Sequence, residues 1–585
     1  MRRLLPWSGV LLFLGAFFFH PLARILALSL DPATLTYPSI ALALDSLLFT
    51  LYQALLSTLL TLLVGVPAAF LFTRFNFSGK KLLRLLTAIP FMLPTVVVAA
   101  GFNAWLGPRG WANVLLQKWL HLDASPILFM GTLAAILVAH VFYNTTIIIR
   151  MVGTALNRLD PRLEQTAASL GANPWRVFWQ VTLPVLRPTL MAASLLVFLF
   201  DFTSFGVILL LGGSQTATLE VEIYNQALTY FNLPLAAWLS LLQLLCTLVF
   251  AILYSRLMNH PAEHLNPRQG TSSQPRNWRQ RFLVASLGTL LVIFYVFPLL
   301  SLPVRSVTRL EADRGDRTQV TYGITLDYYQ ELFVNRRSSI FYVPPAAALG
   351  NSLGYAVATV ILSLVLGIPA AAALARPGRL ERMLDPILFL PLGASSVTLG
   401  LGFIITYGRL LAFPWMVPVA HTLVALPFVI RTLQPALSSI PERLKQAAAT
   451  LGATPSQVRW KVEWPIIRRT VLSAMVFAFT VSLGEFGATL LLSRPEYPTI
   501  PVARFRFLAQ PGGLNYGQTM AMATILMLTA GVGILLIEKL RLPGTGEPFR
   551  SLQQKIERTQ AGMGGWKGVT RVACQQFVEK GCSRP

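Results

Sequence analysis

Four ionisable side chains fall where such groups are expensive. Asp201, Glu485, His140 and His421 all sit inside long apolar stretches. A charge near the centre of a bilayer costs about 3 kcal/mol or more, so such a group faces a cavity or a partner. His421 follows His140 by 281 residues, and the same shift aligns Asp201 with Ser482 and Ser204 with Glu485. The two carboxylates are therefore about one helical turn apart in equivalent segments. Two chemistries are open for them: a cation-attracting lining of a pathway, or hydrogen-bonded packing and gating. The paired imidazoles could face each other and hold a metal, or could join helices by hydrogen bonds. His20 beside Pro21, and Tyr143 with Asn144, read as structural. Cys246, Cys574 and Cys582 form no ligand spacing, and no metal site is assigned.

The elements that hold these residues are membrane spans. The chain has 585 residues, 54% hydrophobic and 12% charged. A soluble domain carries about 25% charged residues. The net charge is +24, and the basic residues cluster in short loops between apolar runs. The positive-inside rule accounts for that pattern, so membrane lipid is the expected surroundings and no nucleic-acid partner is expected. The first apolar run is long and lacks a small-residue cleavage site, which indicates an uncleaved span.

Twelve spans are expected, at about 7–30, 45–73, 85–106, 127–149, 188–212, 234–255, 282–304, 347–375, 384–407, 414–430, 470–492 and 517–538. Pro67, Pro90, Pro94, Pro369 and Pro391 mark kinks. The loop 213–233 carries Glu220 and Glu222 without Lys or Arg, as an external loop can. A polar external segment covers 305–343. The fold class is all-α and polytopic, in two homologous six-helix halves. The boundaries are 1–257 for the first half, 258–281 for a cytoplasmic linker, 282–540 for the second half and 541–585 for a cytoplasmic tail. Both termini are expected inside. Gly65-Val66-Pro67 matches Gly367-Ile368-Pro369, and Phe205-Gly206 matches Phe486-Gly487. Six spans per repeat make the repeat parallel, with a pathway between the halves.

Each half carries one polar loop before its fifth span, at about 158–186 and 439–467. In the first, a helix of small residues can start at Pro161 and end at Gly171, where glycine can turn left-handed. A second short helix, about 174–182, is expected to stop at Pro184. A small-residue helix on a bent pair suits insertion into a partner's groove. Resting on lipid headgroups is the plainer reading, and the repetition favours a partner with two grooves.

These loops resemble the EAA motif of the membrane subunits of binding-protein-dependent ABC importers. The matching residues are Gln165-Thr166-Ala167, Gly171, Val181 and Leu183-Pro184, then Gln446-Ala447-Ala448, Gly452, Val462 and Trp464-Pro465. Gln stands in both copies where the motif has Glu. Glu164 precedes the first by one residue, and Lys445 takes that place in the second. The resemblance implies type I importer permease architecture, with the loops as coupling helices. The coupling residues would be Glu164, Gln165, Thr166, Ala167, Gly171, Pro184, Gln446, Ala447, Ala448, Gly452 and Pro465. It also implies an ATP-binding cassette ATPase dimer, an extracytoplasmic solute-binding protein and a bacterial or archaeal inner membrane. The chain itself would be a transport subunit without catalytic residues or cofactor, ATP being bound by the partner. No G-x-x-x-x-G-K-[ST] occurs in it. Fusion of two halves resembles the iron(III) and thiamine importers, which places iron(III) first as solute and thiamine or another small solute next. The alternative is an ion-coupled secondary transporter using Asp201 and Glu485.

Overall fold

In lipid a chain has no water to satisfy its backbone, so long apolar segments close their own hydrogen bonds as helices. The computed structural model describes residues 5–30, 36–122, 124–213, 216–258, 273–313, 316–334, 343–376, 378–510 and 512–541. The tail after Arg541, with Cys574 and Cys582, and most of the 258–281 linker lie outside the described residues. One unit runs to Ile534; past it, the described residues are the last turns of the Gly513–Arg541 helix.

Among the described residues, nine helices are long and apolar enough to cross a membrane, including Tyr37–Arg74, Leu133–Arg158, Pro345–Leu374 and Met416–Ser438. Two bent pairs raise the number to eleven. In the first, Lys80–Met92 meets Thr95–Leu120 at 115°. Pro90 and Pro94 make this break: Leu93 between them is extended, and neither proline can donate to a helix. Single prolines do less. Pro67 and Pro369 stay inside unbroken helices. The Gly513–Arg541 helix stands where the twelfth span was expected but is not among these eleven.

Two expected spans are interrupted. The fifth ends at Phe202 and a short helix Gly206–Leu211 follows; the eleventh ends at Gly484, with Gly487–Leu492 after it. Asp201 is thus in the last turn of a helix rather than mid-span, and Glu485 lies in the break itself. The expected external loop 213–233 is also different. Its Leu219–Tyr224 helix is buried, and Glu220 accepts a hydrogen bond from Gln243. Leu219, Val221 and Ile223 supply the apolar surface for that burial. Its equivalent, Ile500–Leu508, is buried likewise. Each of the two begins by giving a backbone N–H to a hydroxyl of its half's second span, Leu219 to Thr50 at 3.0 Å and Ile500 to Ser352 at 2.8 Å. Within the polar segment 305–343, Thr308–Asp313 pairs antiparallel with Asp316–Ile324.

The halves exchange their first spans. Trp7, Val10, Leu14 and Phe18 join the core of the second half with Ala370, Leu374 and Phe403. Leu291 and Tyr295 join the core of the first half with Phe102 and Phe142. Phe142 and Tyr295 have ring centroids 5.2 Å apart, and Trp105 and Phe297 5.8 Å. With lipid tails as apolar as leucine, such contacts hold by van der Waals fit rather than by escape from water.

Candidate functional site

The second span of the first half carries a polar stripe, Thr50, Gln53, Ser57 and Thr61, all buried and spaced for one helix face. Ser57 meets Nδ1 of His140 at 3.0 Å, and Ser204 meets Nε2 at 2.9 Å. Nδ1 also lies 3.4 Å from Oδ1 of Asp201. That oxygen accepts from Asn144 at 2.6 Å, while Gln53 donates to the Asp201 carbonyl at 2.8 Å. Oδ2 of Asp201 is buried and has no hydrogen-bond partner.

The second half repeats the imidazole and redistributes the acids. Nδ1 of His421 meets Ser482 at 2.7 Å, and Ser482 donates to Thr359, the counterpart of Ser57, at 3.2 Å. Nε2 meets Thr489 at 2.7 Å and lies 3.4 Å from Glu485. Glu485 accepts from the Ala488 and Thr489 backbone N–H groups at 3.0 and 2.9 Å, and from the Thr489 hydroxyl at 2.7 Å. It therefore caps the short Gly487–Leu492 helix. Thr489 has one hydroxyl proton; once it is given to Glu485, the proton between Thr489 and His421 belongs to Nε2.

Each histidine is thus held by its own half. Among the described residues no three His, Cys, Asp or Glu side chains gather as a metal site. Asp201 and Glu485, with His140, Asn144 and Ser204, line one cavity of about 420 Å³ between the halves. Phe91, Phe200, Phe428 and Phe477 supply much of its wall. Val424 and Phe428 follow His421 toward the second polar loop, and Phe477 to Val481 precede Glu485 from it, so the cavity lies on the loop side of the clusters. At its other end Phe205 and Phe486 stack, with centroids 5.9 Å apart and planes 24° from parallel. They are equivalent residues meeting at the pseudo-axis. A Cβ on Gly206 would lie 2.5 Å from Thr95 and 3.2 Å from Phe486; one on Gly487 would lie 2.1 Å from Ser396 and 3.4 Å from Phe205. A side chain at either position would clash first with a hydroxyl, of Thr95 or Ser396, beside the aromatic pair.

The polar loops are near copies. Pro161–Ser169 starts on an Asp160 cap, its carboxylate accepting from the Arg162 N–H at 3.0 Å. It ends with Gly171 at φ 85°; Gly171 N–H reaches Ala168 and Ala172 N–H reaches Ala167, a Schellman closure. Glu442–Thr450 ends identically at Gly452, φ 81°, with bonds to Ala449 and Ala448. Asn173 caps the following turn in one loop, and Thr454 with Gln457 forms a capping box in the other. The helix stop expected at Pro184 does not occur, nor does its counterpart Pro465 stop a helix. A π-turn, Phe178–Thr182 or Arg459–Glu463, precedes each, and the helix runs on as Pro174–Phe202 or Pro455–Gly484. The wider turn absorbs the missing proline N–H.

Gln165, Thr166 and Gly171 are exposed in the first loop, as are Gln446, Ala447 and Gly452 in the second; Ala167 and Ala448 are half-buried. Leu170 is 84% exposed and Leu451 88%, which makes them the most prominent apolar groups of the loops. Glu164 turns inward. It pairs with Arg74 and accepts from Thr182 at 2.7 Å, tying the loop to its own bundle. Lys445 does the equivalent with the sign reversed, lying 3.4 Å from Glu463, the counterpart of Thr182. Sequence reasoning missed Ser57, Thr359 and Thr489, although the polar stripe in an apolar helix was a signal for the first two.

Among curated relatives, the thiamine transport system permease protein ThiP of Brucella abortus (strain 2308) is 29% identical over 459 residues, 77% of this chain and 80% of the relative. The protein of the same description from Escherichia coli (strain K12) is 29% identical over 504 residues, 85% of this chain and 88% of the relative. A solved bacterial ABC transporter involved in the import of the acidic polysaccharide alginate aligns at 16% identity and TM-score 0.37, over 43% of this chain and 92% of that one, a likeness too slight to argue from. The family described as "Binding-protein-dependent transport system inner membrane component" matches residues 57–266 and 363–540, each segment holding one polar loop and one His–carboxylate cluster. The chain belongs to that family of multi-pass inner membrane permease components.

Proposed function

We propose that this chain forms the membrane pathway of an ATP-driven importer for thiamine or a closely related organic cation. The carrying observation is the cavity between the halves, walled by phenylalanine rings and lined by Asp201, whose buried Oδ2 has no hydrogen-bond partner. Aromatic faces attract organic cations. A hard metal ion asks instead for a shell of six or so oxygens. The names of the relatives also favour thiamine, which reverses the order expected from the sequence, where iron(III) came first.

In this reading the two polar loops each seat in one subunit of an ATPase pair, with Leu170 and Leu451 as the protruding anchors. A solute-loaded binding protein docks on the opposite face. Both termini are cytoplasmic, and segments 1–257 and 282–540 act as the two halves. Closing the ATPase pair pushes the loops together, and the movement parts Phe205 from Phe486. The test is ATPase activity of the reconstituted complex with binding protein alone, with thiamine and with Fe(III). Stimulation by thiamine-loaded binding protein supports the reading; stimulation by Fe(III) alone removes thiamine from it.

A further inference from the structure

A second cavity lies away from the pathway. It measures about 650 Å³ and is walled by Val66, Phe70, Leu71, Phe178, Leu287 and Leu290. Three elements meet there: the end of the Tyr37–Arg74 helix, the π-turn that follows the first polar loop, and the start of Trp278–Ser306. The two helices are fastened beneath it. Ser273 accepts from the Asn76 N–H and donates to the Arg74 carbonyl, both at 3.0 Å. Above that fastening they part and leave a groove. Leu283 and Leu290, which line the groove, are about half exposed, so the groove opens toward the bilayer.

The other half packs its corresponding first-span helix differently. On the shift that aligns Pro21 with Pro298, Trp7 stands where Val284 stands here. Trp7 is fully buried, in one core with Ala370, Ala371 and Leu374. Val284 is buried too, and the groove is lined by its neighbours Leu283, Ser286, Leu287 and Leu290. An apolar groove facing lipid holds a hydrocarbon chain.

Its mouth is cationic. Arg279 is exposed and lies four residues before Leu283, on the helix stripe that continues through Ser286, Leu287 and Leu290. Lys80 donates to the carbonyl of Phe75, a groove residue, at 2.7 Å. We propose that this groove is a binding site for an anionic phospholipid, its acyl chain between Phe70, Phe178 and Leu287 and its phosphate between Lys80 and Arg279. Basic mouths of cytoplasmic-side helix pockets hold acidic headgroups in this way. Phe70 and Phe178 pack edge to face with centroids 5.7 Å apart, so the lipid bears on the root of the first polar loop.

The test uses the complex with its ATPase, in nanodiscs of equal parts phosphatidylglycerol and phosphatidylethanolamine, with the lipids that survive detergent release counted by mass spectrometry. We expect wild type to retain phosphatidylglycerol over phosphatidylethanolamine by about thirtyfold, two cations each contributing about fivefold. Lys80→Ala with Arg279→Ala brings that ratio near one and keeps a lipid bound. Ser286→Trp, which places an indole in the groove, removes the retained lipid. Retention without headgroup preference in wild type, or undiminished retention in an assembled Ser286→Trp complex, overturns the proposal. Should Ser286→Trp fail to assemble, the double variant decides alone: an unchanged ratio overturns it. Neither result depends on which solute is carried.

Discussion

In the first half, His140 reaches Asp201 through Nδ1, and one oxygen of this cavity-lining residue stays without a hydrogen-bond partner. In the second half, His421 reaches Glu485 through Nε2, and both carboxylate oxygens are taken by the short helix behind it. Duplication supplied the same imidazole and the same two facing positions, one turn apart. Which position carries the acid has been exchanged. The lesson is that an intramembrane carboxylate is not a role. Glu485 is engaged in holding chain geometry at a helix break, and Asp201 is the one with chemistry to spare.

Breaking Glu485 should have the largest effect. Glu485→Ala leaves two buried N–H groups and the Thr489 hydroxyl without the carboxylate that accepts from them. Removing one partner of such a buried set costs about 3–5 kcal/mol. Thermal unfolding in detergent should fall accordingly, and a variant as stable as wild type would refute the capping role. Asp201→Asn sharpens the contrast. The amide oxygen can still accept from Asn144, so stability should stay within about 1 kcal/mol. Loss of the charge should lower uptake of a cationic solute about tenfold or more.

The coupling loops give the next effects. Gly171→Ala or Gly452→Ala forces a Cβ into the left-handed region, at about 1–2 kcal/mol each. The Schellman closure should loosen, and co-purification with the ATPase should drop in both variants alike. Equal behaviour is expected because the two loops are the most alike parts of the halves. The smallest effects belong to the anchoring pairs. Glu164→Ala and Lys445→Ala each remove a partly exposed ion pair, about 0.5–1 kcal/mol after screening. Hydrogen exchange in the loops should rise in each. The sign-reversing Lys445→Glu, which places like charges against Glu463, should rise more than Lys445→Ala.

The repeat was legible because it is written in residue types at a constant shift. Gly171 and Gly452 could be placed at helix ends since only a left-handed residue closes that turn cheaply. His140 and His421 could be paired, and the one-turn offset of Asp201 and Glu485 followed from the alignment. What stayed hidden is tertiary. Apolar content runs unbroken through Phe205-Gly206 and Phe486-Gly487, so hydropathy could not reveal that both spans break there. Glu220 in a segment without Lys or Arg looks external, until Gln243 offers its amide. The exchange of first spans leaves no local trace, because Trp7 and Val284 would be equally at home beside either half. Pro184 and Pro465 misled for a local reason, since a π-turn upstream lets a helix pass a proline.

Uptake of thiamine into proteoliposomes bearing the complete complex, compared between wild type and Asp201→Asn, tests the central claim most directly. The account predicts transport by wild type and at least about a tenfold loss in the variant, with assembly and stability retained. Equal uptake by the two proteins would contradict it and would leave the free carboxylate oxygen without a part in the pathway.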